Sequence, residues 1–277
     1  MNAPAKLALF GLVATGVFGA SFAAGSAADP VGLSNAEPVE HAGVMTMGGG
    51  LPGLASTSDG FTIVPATDEL PAGRRTAYRF AILDEDGETV TEFDEEHTKR
   101  MHLIVVRRDF EGFVHDHPTM DSDGSWSTHL DLDVPGVYRV FADFVVDGDK
   151  HTLGTDLFVP GDFSPVQVPA PAATADAGDG YEVEVDGEVV AGEESELAFT
   201  IRHDGEVVTD VPDYLGAKGH LVALRDGDLA YLHVHADEER LVFETDFPSP
   251  GEYRLFLQFS HGGEVRTAAF TVDAEEA

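Results

Sequence analysis

From Asp59 onward, apolar positions fall into short runs broken by Gly, Asp and Pro, and no run carries a convincing amphipathic-helix pattern. Phe61–Val64, Thr76–Leu83, Trp126–Leu132, Val137–Val146 and Thr152–Val159 alternate or run apolar as β-strands do. Asp84-Glu-Asp-Gly87 ends one strand, and Asp147-Gly148 turns between the last two. A second series follows: Tyr181–Asp186, Glu196–His203, Leu241–Asp246, Glu252–Ser260 and Glu264–Val272, with Gly262-Gly263 as its final turn. Many short strands with frequent turns describe antiparallel β-sandwiches of the immunoglobulin or fibronectin kind. Trp126 is expected in the core. Tyr138 and Tyr253, each just after a Pro-Gly turn, are expected to bond nearby backbone as a tyrosine corner.

The two series are copies of one domain. His102–His117 (HLIVVRRDFEGFVHDH) aligns without a gap to His220–His235 (HLVALRDGDLAYLHVH), 118 positions later. Pro135–Phe144 (PGVYRVFADF) has its counterpart in Pro250–Phe259 (PGEYRLFLQF). The resulting organisation is an all-β pair of tandem sandwiches, 59–161 and 181–273. They are preceded by an apolar helix in 1–28 and a flexible tether in 29–58, and joined by a Pro/Ala linker in 162–180.

The aligned stretch carries the candidate chemistry. If Asp226-Gly227 is a two-residue hairpin turn, His220 lies opposite His233, and His235 points the same way. The same register sets His102 opposite His115, with His117 beside them. Opposed residues on one face have Cβ atoms roughly 5 Å apart. Neutral imidazole is the commonest metal ligand, so each hairpin presents a three-histidine set suited to Cu(II) or Zn(II). Met101 could add a thioether to the first site, where the second has Gly219; His97, Glu95 and Glu96 lie on the preceding loop. The alternative is that this face is the core side, because it also carries Ile104, Val106, Val222, Leu224 and Tyr231, with the histidines bonding backbone or one another. His129, His151, His203 and His261 are isolated and read as surface residues.

Charge and composition narrow the function. The 277 residues include 51 acids, 16 Lys plus Arg and no cysteine, for a formal charge of −35. That charge argues against nucleic acid and anionic membrane surfaces as partners and suits a strongly solvated, halophile-like surface. Without cysteine there are no disulfides and no thiolate ligands. Leu7–Ala28 is uncharged and follows Lys6, so it reads as a membrane anchor or as a signal peptide cleaved after Ser26-Ala27-Ala28. Either places the domains at the extracytoplasmic face of the cell membrane or outside the cell. The tether holds His41, Met45 and Met47, a set that could bind copper(I), although a plain linker is the simpler reading. No nucleophile elbow, phosphate loop or zincin motif occurs, so an enzyme is not expected.

Met101–Asp109, followed by His115-Asp-His-Pro118, and Tyr214–His235 resemble a family of exported two-domain proteins labelled heavy-metal-associated or secreted. Their histidine hairpins are like those of copper-resistance and metal-efflux-associated proteins. The resemblance covers residues 59–273 and departs at Ala236, where the pattern has the proline that Pro118 supplies in the first repeat. It implies extracytoplasmic handling of copper first and zinc second, by sequestration or by handover to a membrane metal exporter. The implied ligands are His102, His115, His117, His220, His233 and His235. The competing expectation is a non-metal envelope ectodomain that contacts another protein, with structural histidines.

Overall fold

The computed structural model describes residues 50–277 apart from Glu238. The apolar run Leu7–Ala28 and the candidate ligands His41, Met45 and Met47 lie outside the described residues. Among the described residues there is no helix. The first repeat contains β1 (Thr57–Ser58), β2 (Phe61–Pro65), β3 (Thr76–Leu83), β4 (His102–Arg107), β5 (Val114–Asp116), β6 (Thr119–Met120), β7 (Trp126–Leu130), β8 (Gly136–Val146) and β9 (Asp149–Val159). The second contains β10 (Thr174–Gly178), β11 (Tyr181–Asp186), β12 (Glu194–His203), β13 (Glu206–Val207), β14 (His220–Arg225), β15 (Tyr231–Leu232), β16 (Val234–Ala236), β17 (Val242–Asp246), β18 (Gly251–His261) and β19 (Glu264–Ala274).

These strands form four antiparallel sheets, two per repeat. In the first repeat β1-β2-β3-β7-β6 packs on β5-β4-β8-β9. In the second, β10-β11-β12-β17-β16, with β13 beside β12, packs on β15-β14-β18-β19. Between the first pair lie Ile63, Tyr78, Phe80, Ile82, Leu103, Val105, Trp126, Val140 and Phe144. Val183, Leu197, Ile201, Leu221, Ala223, Phe243, Leu255 and Leu257 fill the second pair. Asp147-Gly148 and Gly262-Gly263 form the expected hairpin turns, both residues of each having positive φ. Tyr138 donates to the Val134 carbonyl and Tyr253 to that of Ser249, each at 2.8 Å, making the corner in both repeats.

The inner sheets are covered on both faces, and this decides where the histidines sit. β3 alternates buried and accessible positions, as a strand with one wet face does. All six residues of β4 are buried. Leu103 and Val105 enter the sandwich core. Ile104 and Val106 point the other way, into a third core shared with Phe110, Phe141, Val222, Leu224, Leu229, Tyr231 and Phe256. Phe113 stacks on Phe256 across this seam with ring centroids 4.1 Å apart. A large apolar side chain buried here contributes roughly 1.5–3 kcal/mol relative to exposure. The seam therefore holds the repeats together far more strongly than a surface ion pair would.

Two expected boundaries shift. The linker expected over 162–180 already contains β10, which pairs with β11. The last part of the tether expected over 29–58 is docked. Gly53 N donates to Thr152 O and Gly154 N to Ala55 O, each at 2.9 Å. The Tyr231 amide of the other repeat donates to Pro52 O at 2.9 Å. The buried Arg139 guanidinium donates to the Gly53 and Leu54 carbonyls and pairs with Asp156. Backbone hydrogen bonds and the seam, which a linker-like composition does not encode, hold this segment.

A Cβ at Gly154 would overlap the Gly53 carbonyl oxygen and press on the Arg139 guanidinium. The equivalent residue of the second repeat is Ala269, whose side chain packs against the inter-repeat core. Gly154→Ala is expected to cost about 1–3 kcal/mol and to lower the thermal midpoint by several degrees. An unchanged midpoint in calorimetry would show that the 51–55 segment is not seated on β9.

Candidate metal centre

The loop between β4 and β5 sets the register. The chain reverses with Arg107 N donating to Glu111 O, and Phe110, at φ 66°, tucks its ring into the inter-repeat seam. Ile104 consequently pairs with His115 and Leu103 with Asp116. This brings His117, not His115, level with His102. A slip of two residues preserves the face, because side chains alternate with period two. His102, His115 and His117 thus remain together as expected, although their partners differ from the two-residue-turn register.

Three ring nitrogens converge. His102 Nδ1 lies 3.2 Å from His115 Nε2 and 3.3 Å from His117 Nε2, and one nitrogen from each ring falls within 4.8 Å of the others. Nitrogens bound tetrahedrally to one ion at about 2.0–2.1 Å are themselves roughly 3.3 Å apart. His102 is 2% exposed, whereas His115 and His117 are half-buried, which leaves the group open on one side.

Acceptors facing the outward nitrogens favour one tautomer of His102 and of His115. His102 Nε2 lies 3.1 Å from the Glu96 carbonyl oxygen, which can only accept, so that nitrogen carries the proton. His115 Nδ1 lies 2.7 Å from Gln258 Oε1 of the second repeat, while the Gln258 amide nitrogen donates to Thr267 Oγ1 at 3.2 Å. That orientation makes His115 Nδ1 the protonated atom. His102 Nδ1 and His115 Nε2 are then both lone pairs, facing one another at 3.2 Å. His117 can donate to His102, but no proton is left for the contact between His102 and His115. A cation among the three would satisfy it. Metal-bound histidines characteristically donate their other N–H to a carbonyl or carboxylate, as His102 and His115 do here.

Burial also keeps these rings neutral. Desolvation, followed by the neighbouring imidazoles, pushes His115 down to about 3 and His117 to about 4. His102 and His220 also fall below the ordinary histidine value, burial being the main cause. Neutral imidazoles with free lone pairs are the form that ligates a metal.

The loop before β4 brings the Glu96 carbonyl into place through a tight turn. Glu96 and Lys99 exchange both backbone hydrogen bonds, and His97 and Thr98 between them have φ of 49° and 67°. The Glu96 carboxylate pairs with Lys150 Nζ at 2.9 Å, which also lies 3.4 Å from Asp143. The second repeat builds the same turn at Tyr214–Ala217, with Gly216 where the first has Thr98. A β-branched residue at this positive φ is strained.

The second three-histidine set does not form. β15 pairs with β14 for only two residues, and β16 then joins β17 in the outer sheet. Thr245 Oγ1 donates to the His233 carbonyl at 2.8 Å at the point of crossing. In the first repeat the crossing comes later, after β5, where Pro118 has no N–H with which to continue the ladder. His233 and His235 stand together, ring centroids 4.4 Å apart, and His233 lies beside the Glu96, Asp143 and Lys150 charges of the first repeat rather than in a three-nitrogen group with His220. His220 joins the first cluster instead. Its ring is parallel to His102 within 4° at 5.2 Å and lies 4.6 Å from His115. His97 completes the surround, 5.6 Å from His220. Met101 is buried in the first sandwich core with Leu103 and Val105, on the side opposite His102, so its thioether does not face the site.

Sequence reasoning missed the Glu96 carbonyl and Gln258. Gln258 left one signal, a single polar residue inside the apolar run Leu255–Phe259. Of the histidines expected at the surface, His261 accepts or donates to Tyr181 Oη at 2.7 Å and His203 stacks on the same ring.

The described chain is a pair of immunoglobulin/fibronectin-like β-sandwiches, one copy repeated and packed through its hairpin sheet. It belongs to the family described as "Domain of unknown function (DUF8832)", which matches twice, over residues 56–161 and 173–276. No curated protein matches the sequence. Among solved structures, the Escherichia coli adhesin FdeC is similar at 15% identity and TM-score 0.27, over 80% of this chain and 65% of that one. A Salmonella alpha-2-macroglobulin mutant is similar at 15% identity and TM-score 0.29, over 82% of this chain and 15% of that one. The fibronectin(III)-like modules of Clostridium thermocellum CbhA give 10% identity and TM-score 0.23, over 78% of this chain and 95% of theirs. At these scores the matches carry no functional weight.

Thr98→Gly relieves a left-handed conformation that costs an L-residue about 1–2 kcal/mol, against roughly 0.5–1 kcal/mol of added chain entropy. The variant is expected to be as stable as wild type or more so, by up to about 1 kcal/mol in denaturant titration. A loss of stability would contradict the turn geometry.

Proposed function

We propose that the chain is an exported metal-binding protein that holds one transition-metal ion at His102, His115 and His117. The observation that carries this reading is the convergence of one ring nitrogen each from His102, His115 and His117 within 4.8 Å, while the opposite nitrogens of His102 and His115 face the Glu96 carbonyl and Gln258 Oε1. Three neutral nitrogen donors, with Met101 turned away and no cysteine in the chain, favour Cu(II) or Zn(II) over Cu(I). Copper comes first on intrinsic affinity, zinc second. With three protein ligands and an open side, the centre suits an ion that is sequestered or passed on. A handover role calls for a partner at the membrane, such as a metal exporter. The N-terminal apolar segment would keep the protein near it as an anchor.

A second reading rests on the architecture. Tandem sandwiches of this kind are common in cell-surface domains, and the chain would then be an envelope interaction module. Its histidines would serve only to seal the edge of the inter-repeat seam.

Isothermal titration of the full chain with Cu(II) near neutral pH separates the two, at high salt to screen loose uptake by the acidic surface. The metal reading expects one tight equivalent per chain. It expects that equivalent to be lost in His115→Ala and His117→Ala, and retained in Met101→Leu and in a variant lacking both His233 and His235. Weak, salt-sensitive uptake with no dependence on His115 or His117 would overturn it and favour the interaction module.

A further inference from the structure

We infer that the metal centre is completed across the seam by the second repeat, with Gln258 as the positioning residue for His115. This rests on the metal reading above and deepens it: the first repeat supplies the ligands, and the second sets the state of one of them. Gln258 sits on β18, directly paired with His220 on β14, and is almost fully buried. Its amide is oriented from behind by Thr267, its cross-strand neighbour on β19. The oxygen therefore faces His115 Nδ1, at 2.7 Å, a length typical of an N–H···O hydrogen bond. With the proton held on Nδ1, the Nε2 lone pair of His115 is aimed at the ion. No group of the first repeat is seen to do this for His115.

The arrangement explains an asymmetry between the copies. Where the second repeat has Gln258, the first has Asp143, which is occupied by Thr152 Oγ1 at 2.7 Å and by Lys150 at 3.4 Å. The His115 counterpart in the second repeat, His233, is exposed, with its ring near the Asp143, Glu96 and Lys150 charges of the first repeat rather than in a group of ring nitrogens. The duplicated domain has thus divided its roles: one copy ligates and the other positions. Because Gln258 reaches His115 only while the seam is closed, ion binding and the docking of the repeats reinforce one another by the same factor.

The test uses the full chain, with Zn²⁺ as the probe and nitrogen NMR of the imidazoles as the second readout. Metal-free wild type should show His115 protonated on Nδ1. Gln258→Met, close in volume but without an acceptor, should lose that tautomer and bind Zn²⁺ 10–100-fold more weakly, the usual effect of removing such an outer partner. Gln258→Glu restores the acceptor and should restore both the tautomer and the affinity to wild type or better. Far-UV circular dichroism confirms that both variants fold. Zn²⁺ binding that is equally tight in Gln258→Met overturns this inference and leaves the metal reading standing. So does a metal-free His115 carrying its proton on Nε2, donating to His102. A wild type that binds no Zn²⁺ and no Cu(II) overturns the metal reading itself, and this inference with it.

Discussion

The face shared by His102, Ile104 and Val106 is buried against its own copy, and most of what is specific to this chain depends on that packing. An ordinary sandwich puts one face of each sheet in its core and leaves the other in water. Here the outer faces of two hairpin sheets meet, with Phe113 on Phe256 and Phe141 near Tyr231. The seam is apolar through its middle and turns polar at one end, where the imidazoles collect. Close packing keeps those rings in fixed rotamers, and burial keeps them neutral. The geometry of the histidine cluster and its protonation state therefore have a common cause. The cost is a set of buried nitrogens that must find partners. The Glu96 carbonyl and Gln258 face two of them, and the inward nitrogens of His102, His115 and His117 converge on one another.

Much of the fold was legible in the sequence. The repeat, the strand series, the corner tyrosines and two of the hairpin turns follow from period-two patterning and from Gly and Asp placement. Asp226-Gly227 misled, because the loop there runs on to Leu229, which is buried in the seam at φ 64°. Asp228 holds the longer loop by accepting from Arg225 and from the Ala230 amide. Local turn propensity lost to the burial of one leucine. The same contest shifted the first hairpin, where Phe110 is the buried loop residue.

The candidate site was half legible. Period-two alternation is insensitive to a two-residue slip, so His102, His115 and His117 were placed on one face despite the wrong register. His235 was misplaced because β16, which carries it, joins β17 in the outer sheet, and the ring of His233 settles beside the Glu96, Asp143 and Lys150 charges instead of with His220. Met101 was misread as a ligand, although alternation already sets it with Leu103 rather than with His102. His220 and Gln258 could not be joined to the first site without knowing that the repeats dock. No local pattern encodes that contact, but the continuous apolar runs of β4 and β14 are its trace, since strands covered on both faces lose their alternation.

The central claim is that one ion sits among three named nitrogens, and anomalous X-ray diffraction from crystals loaded with Zn²⁺ tests it most directly. The account predicts a single strong peak per chain, about 2.0–2.1 Å from His102 Nδ1, His115 Nε2 and His117 Nε2. Peaks scattered over the acidic surface, with none among these three rings, would contradict it.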